Sequence, residues 1–474
     1  MNKARVRKIN KNITEGGLRS SIWKLAMPMM AGALLQDLFS LVDLFFVGRL
    51  GYIAVAALSM AGVIIAVIMM AAIGISAGTI ALVAHFIGKK DYNSADNTLF
   101  QTVVVSTICS VGMALIGIFG TVNLLRLFGA TPEVIPAASE YLKISFIWSI
   151  FIFLFIGFNQ ALRGSGDAVT PLKVLIVANV INIALDPLLI FGFGFFPQMG
   201  VAGSATATVI SRIIGVIILL RHLLFGHSSL HFHRGIFKIN FMLIGRMIKI
   251  GFFASFEVLM RQLSLLLLLR LVTSFGAACL AAYGIAIRLR MSVMMIGFGM
   301  AAASSVLIGQ NMGAGHPDRA TQAGWKTLKY YEFIVAPIAV LFFIFSPQII
   351  GIFNNNHEVI KMGSDFLRFT AVTLPFLASA LILGRGISGA GDTFAPAVMT
   401  GIAQLGLRIP IAYALVLLFG LGNNGIWLGI NASDVCQGLA MIWYFKQGFW
   451  QKRYYKHRAV LEDENVLKQW RILP

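Results

Sequence analysis

The chain is 474 residues long, 58% hydrophobic and only 12% charged, with 38 Lys and Arg against 19 Asp and Glu and a mean hydropathy of +0.82. A soluble domain is about half apolar and about a quarter charged, so this chain has too little polar surface to coat itself and belongs in a bilayer. The same arithmetic excludes a disordered tail, a disulfide scaffold and a nucleic-acid binder, because the positive charge comes in short segments between apolar stretches rather than as a basic stripe.

The first residues, MNKARVRKINKNITEGGLRSS, are basic and polar and lack the apolar core of a signal peptide. Twelve apolar stretches of spanning length follow, at about 20 residues per span. They cover residues 22–47, 53–84, 98–122, 136–160, 172–194, 201–220, 250–271, 280–308, 331–350, 363–383, 396–418 and 425–445. Cys109, Cys279 and Cys436 are scattered through these stretches without metal or disulfide spacing and read as reduced packing residues. With the N-terminus inside, 26 of the 38 Lys and Arg fall in inner segments and 3 in outer ones. The positive-inside rule therefore puts both termini in the cytoplasm. The resulting plan is a cytoplasmic N-terminal segment 1–21, an N-lobe 22–220, a cytoplasmic linker 221–249, a C-lobe 250–445 and a cytoplasmic tail 446–474.

The two lobes repeat each other. GSGDAVTP (Gly164 to Pro171) matches GAGDTFAP (Gly389 to Pro396), with Asp167 and Asp392 separated by 225 residues. The same shift pairs Phe128, Glu133 and Val134 with Phe353, Glu358 and Val359, and Gly51, Gly74 and Gly200 with Gly276, Gly299 and Gly425. Six spans per repeat is an even number, so both repeats enter the membrane from one side and are related by an axis along its normal.

No G-x-x-x-x-G-K-[ST] loop is present to cradle a nucleotide, and no dense carboxylate or His/Cys cluster points to a membrane enzyme. Charges inside spans are costly, so they are the candidates for function. Asp37 and Asp43 lie in the first span, Asp186 in the fifth, Glu257 in the seventh and Asp434 in the twelfth. Asp37 and Asp43 are six residues apart, roughly 120° around a helix, and cannot share one narrow site. Asn179, Asn182 and Asp186 follow i, i+3, i+7 spacing and make one polar stripe, with Pro187 leaving the carbonyl of Ile183 unbonded. This stripe suits a hard cation or a proton, or else glues helices together. Glu257 and Arg261 at i, i+4 read as a structural pair. Arg212, Arg270, Arg288, Arg290 and Arg408 read as facing a cavity or snorkelling to an interface. His222, His227, His231 and His233 read as a solvated basic linker rather than a metal site, and the two G-x-G-D turns as helix stops with an Asp cap.

VDLFFVGRLG (Val42 to Gly51), LRGSGDAVTP (Leu162 to Pro171), the N-x-x-x-D-P of Asn182 to Pro187, GVAGSATATVISR (Gly200 to Arg212) and the second G-A-G-D turn together resemble the multidrug and toxic compound extrusion (MATE) family, in its prokaryotic DinF-like branch. The resemblance covers nearly the whole chain in the right order. It implies an all-α integral membrane protein, V-shaped around a central cavity, with twelve transmembrane helices in two pseudo-symmetric six-helix bundles. It implies a monomeric antiporter of the cytoplasmic membrane, not an enzyme, that expels organic compounds, cationic or amphiphilic, in exchange for H+ or Na+ and needs no cofactor. Carried over residue by residue, its cation-coupling cluster falls on Asp43, Tyr141, Asn159, Asn182, Asp186 and Ser204 or Thr206, with Na+ held at Asp43, Asn182 and Asp186 in a sodium-coupled version. Asp37, Asn179, Glu257, Arg261 and Gln262 are left as substrate-cavity candidates. The repeat counterparts of Asp43, Asn182 and Asp186 are Leu268, Leu407 and Ile411, so a second cation site is not expected in the C-lobe. The alternative is a lipid-linked oligosaccharide or lipid flippase of the same wider superfamily.

Overall fold

The structure, a computed structural model, describes residues 13–194, 196–226, 228–233, 235 and 238–462. Nearly every described residue is helical. The helices are α1 (Leu18–Gly48), α2 (Tyr52–Gly88), α3 (Tyr92–Phe119), α4 (Thr121–Leu127), α5 (Ile135–Ile147), α6 (Ser149–Gly164), α7 (Val169–Phe191), α8 (Val201–Phe225), α9 (Phe241–Thr273), α10 (Ala277–Gly313), α11 (Pro317–Ile344), α12 (Ser346–Gly351), α13 (His357–Gly389), α14 (Phe394–Gly401), α15 (Arg408–Leu417), α16 (Asn423–Lys446) and α17 (Phe449–Glu462), with a π-helical segment Ile402–Leu407 between α14 and α15. In a bilayer core every backbone N–H and C=O must be satisfied within its own segment, and an uninterrupted helix does this. Outward faces stay apolar, with Leu115, Ile118, Leu266 and Val340 half or more exposed, because lipid tails rather than water surround them.

Among the described residues ten helical spans are long and apolar enough to cross a membrane, and α5 with α6 makes an eleventh, bent by 54°. The expected single span 136–160 is thus a broken one. It turns at Trp148, whose φ of −93° and ψ of 12° lie in the sparsely allowed bridge region. No proline or glycine marks the break, so the sequence hides it. The remaining expected span, α16, has 24 residues, long enough to cross, but Asn431, Ser433, Asp434 and Gln437 make it more polar than the others. These four side chains are buried, so the helix carries its polar groups on the inside.

The chain forms two compact units that meet inside α9: Trp23–Ser255 belongs to the first, and Phe256 onward, with Leu18–Ile22, to the second. The first half of α9 packs on α2 within the first unit. Ser255 Oγ donates to the Met70 carbonyl at 2.6 Å, and a Cβ on Gly251 would stand 2.6 Å from the Gly74 carbonyl. Glycine is what lets the two backbones approach so closely. In the second unit the buried Trp427 lies against Phe366 and Tyr283.

The stretch between α8 and α9 is more ordered than a solvated basic linker. Ser228, Ser229, Leu230 and His231 are buried, and the His231 N–H donates to the buried Asp96 carboxylate at 2.9 Å. His233 lies 3.5 Å from Asp96 and His222 lies 3.7 Å from Asp167. The buried Asp96 carboxylate, which needs partners, explains why this loop folds down. His227, the N-terminal residues 1–12 and the tail beyond Glu462 lie outside the described residues. Residues 449–462 of the expected tail are helical, and α17 is fastened by Arg453 Nη1 to Asp392 Oδ1 at 3.1 Å and Tyr454 Oη to the Met312 carbonyl at 3.0 Å.

The two G-x-G-D turns stop and start helices as expected. Gly166 and Gly391 have φ of 93° and 92°, which glycine adopts at no steric cost. Asp167 then accepts the N–H groups of Val169 and Thr170, and Asp392 that of Ala395. All three cysteines are free, but Cys436 is exposed, so it is not a packing residue. It sits on the outer face of a helix whose polar side is buried.

Candidate cation-coupling site

Three helices of the first unit supply the centre of the site. α7 carries the polar stripe, and α8 lies so close to it that a Cβ on Gly203 would stand 2.6 Å from the Leu189 carbonyl. That approach brings the Asn182 amide beside Thr208. With its Nδ2 turned to the carboxylate, Asn182 donates to Asp186 Oδ2 at 3.0 Å and its oxygen accepts from the Thr208 N–H at 3.1 Å and Oγ1 at 3.3 Å. Asn182 and Asp186 are fully buried.

α1 brings the Asp43 carboxyl to the same place, beside that of Asp186. Ionised carboxylates only accept hydrogen bonds, so two side by side offer each other no donor. Tyr141 on α5 stands close enough to feel both carboxyls. Arg212, two turns after Ser204 on α8, faces Asp43 electrostatically and lays its guanidinium over the Phe155 ring at 4.6 Å and the Phe39 ring at 5.6 Å. A cation over aromatic faces is stabilised by their quadrupoles as well as by the carboxylate.

The remaining candidates divide. Asn159 donates to the Phe155 carbonyl at 2.6 Å within its own helix, while its Oδ1 and the Ser204 Oγ are buried without a partner among the described residues. Asn179 reaches across to the Leu35 carbonyl of α1 at 3.5 Å. Thr206 bonds back to the Ala202 carbonyl, so the α8 hydroxyl that joins the cluster is Thr208, which the sequence reading passed over. Its signal was there, since Ser204, Thr208 and Arg212 follow i, i+4, i+8 spacing on one helix face. Asp37 is half-buried on α1 and Gln262 is exposed on α9.

The second unit carries other charges. Arg261 Nη2 bonds Glu257 Oε1 at 2.8 Å, the structural i, i+4 pair, and Arg385 faces the same glutamate electrostatically. Arg270 and Arg288 are exposed, whereas Arg290 and Arg408 are buried around Asp434, each with Nη2 at 2.7 Å from one of its oxygens. No group of three His, Cys, Asp or Glu that could hold a metal occurs among the described residues.

The MatE family profile matches the chain twice, over residues 28–188 and 254–414. The chain belongs to the MATE family. This MATE chain is therefore a membrane transporter and not an enzyme. It is 29% identical to "Probable multidrug resistance protein YoeA" of Bacillus subtilis over 93% of its own length and 97% of that protein's. It is 27% identical to "Multidrug export protein MepA" of Staphylococcus saprophyticus, covering 90% of this chain and 94% of that one. Its fold matches the outward-facing structure of a multidrug resistance MATE transporter with a TM-score of 0.86, over 94% of this chain and 100% of that chain, at 23% identity.

Proposed function

We propose that this MATE transporter is a secondary antiporter of the cytoplasmic membrane, in the DinF-like pattern, that exports cationic or amphiphilic organic compounds as a monomer in exchange for H+ or Na+. The observation that carries the coupling half of the reading is the Asp43–Asp186 carboxyl pair in the first unit, ringed by Asn182, Thr208, Tyr141 and Arg212. The export half rests on relatives named for multidrug resistance and multidrug export.

Two carboxyls in contact repel when both are ionised, so the pair holds a proton or takes up a cation in its place. Either ion relieves the repulsion and lets α1 and α7 come together; its loss pushes them apart. A ligand shifts a conformational equilibrium only through its different affinity for the two states, and this pair gives the ion such a difference. Na+ is an oxygen-seeking cation that the Asp43 and Asp186 carboxylates suit, with the Asn182 amide oxygen joining them once the amide turns over from Thr208, and H+ needs the two carboxyls alone.

The test is efflux of a fluorescent organic dye from proteoliposomes with a pH gradient and a Na+ gradient imposed separately. Export driven by one gradient and abolished by Asp43→Asn is the expected result. Scrambling of labelled lipid without gradient-driven efflux overturns the antiporter in favour of the flippase.

A further inference from the structure

The buried charge cluster on α15 and α16 of the second unit has the opposite balance to the cluster on α7 and α8 of the first. In the first cluster two acids, Asp43 and Asp186, stand together and one base, Arg212 on α8, faces Asp43. In the second, two bases, Arg290 on α10 and Arg408 on α15, face one acid, Asp434, which lies on α16. The Gly200 to Gly425 repeat pair makes α16 the counterpart of α8, and α14 to α15 the counterpart of α7. The same pair of helices thus carries the site in both units with its charges exchanged.

This second cluster has one positive charge more than it can neutralise. Arg408 is satisfied: its Nε donates to Ser433 Oγ at 2.9 Å and its Nη2 to Asp434 Oδ1 at 2.7 Å. Arg290 is not. It is 5% exposed, its Nη2 lies 2.7 Å from Asp434 Oδ2, and its Nη1 is buried with no hydrogen-bond partner among the described residues. A buried guanidinium with an unused N–H edge is a costly arrangement that an incoming acceptor relieves.

Two further features mark the place as a binding site rather than a strut. The helix ahead of Arg408 widens into the π-helical segment Ile402–Leu407, a distortion frequent at functional sites. Its Gln404 is held by Gln437, which donates on to Thr400. Beside the guanidiniums, Tyr283 lies flat on Trp427, with ring centroids 5.9 Å apart and planes 2° apart, and it feels the charges of Arg408, Arg290 and Asp434. A flat aromatic platform next to a guanidinium edge matches an aromatic or apolar body bearing a planar oxyanion, which accepts from the edge.

We propose that Arg290 and Arg408, set against Asp434 and the Tyr283–Trp427 stack, form an anion-recognition site for the carboxylate, phosphate or sulfonate group of an amphiphilic organic compound. Resting on the antiport reading, this assigns the transporter a substrate that carries negative charge, with the coupling cation and the substrate anion bound in separate units. The site is almost closed to solvent, so the oxyanion enters in another state of the transport cycle.

The test is equilibrium binding to the purified full chain in detergent, followed by fluorescence anisotropy with carboxyfluorescein as the anionic probe and rhodamine 6G as the cationic one. No gradient is involved, so this experiment fails or succeeds independently of coupling. Arg290→Gln removes the surplus charge and leaves the neutral Arg408–Asp434 pair, which keeps the variant folded. Carboxyfluorescein should bind the parent chain and bind Arg290→Gln at least about tenfold more weakly, with rhodamine 6G unchanged and Arg290→Lys intermediate. Unchanged carboxyfluorescein affinity in a folded Arg290→Gln overturns the site, as does equal weakening of both dyes with a lowered melting temperature, which marks a structural role. No carboxyfluorescein binding by the parent chain overturns it as well. Displacement of the dye by phosphatidylglycerol but not phosphatidylcholine assigns the site to a lipid headgroup, and no displacement by either assigns it to a soluble organic anion.

Discussion

Thr208 holds Asn182, and Asn182 holds Asp186, so the geometry of the carboxyl pair depends on a hydroxyl that does not touch it. Replacing Thr208 with valine keeps the shape and removes one buried hydrogen bond, a change of about 1 kcal/mol or roughly fivefold. Gradient-driven efflux at limiting ion concentration should fall by about that factor and recover at saturating ion; an undiminished apparent affinity for the ion would separate Thr208 from the site. Asp43, Asn182 and Asp186 were legible in the sequence because a carboxylate or amide inside an apolar helix is conspicuous and their spacing sets a common face. Thr208 was not, because a threonine in a membrane helix is ordinary until its neighbour across the helix pair is known. Arg212 was visible as a charge but not as a partner, since its match with Asp43 joins α8 to α1 across long sequence separation.

Helix α8 can bring Thr208 to Asn182 only because Gly203 has no side chain where it crosses Leu189. Gly203→Val should wedge α7 and α8 apart and cost about 1–3 kcal/mol, seen as a lower melting temperature in detergent together with weakened ion dependence. A fully stable variant with normal coupling would show that this contact does not set the site. On α9, Glu257 is buried beside Arg261 and Arg385 and answers a structural need. Glu257→Gln should lower thermal stability by about 1–2 kcal/mol, reduced from the fully buried case because Arg261 is 29% exposed, and leave efflux largely intact. The element boundaries that the sequence missed share a cause. The bend at Trp148 has no proline or glycine to announce it, whereas the π segment contains Gly406 and precedes Pro410, which cannot donate to the Gly406 carbonyl; hydropathy sees one continuous span in both. The shortfall of α16 on apolarity has the converse cause, since its polar residues serve the interior.

At the scale of the whole molecule, the repeat in the sequence reappears as two family matches and two compact units, and the excess of positive charge reads as topology. Lys238, an exposed residue of the α8–α9 stretch, should be cytoplasmic and Gln198, exposed between α7 and α8, should be external. In a chain freed of its native cysteines, Gln198→Cys should react with an impermeant maleimide on intact cells and Lys238→Cys only after lysis; the reverse would invert the topology. The central claim is that coupling resides in the first unit, at Asp43 and Asp186. Ion-gradient-driven efflux from proteoliposomes, compared among Asp186→Asn, Asp43→Asn and Glu257→Gln at equal reconstituted protein, tests it most directly. The expected result is loss of at least about tenfold in both Asp variants with Glu257→Gln close to the parent chain, whereas normal efflux in both Asp variants and a dead Glu257→Gln would place coupling in the second unit and contradict the account.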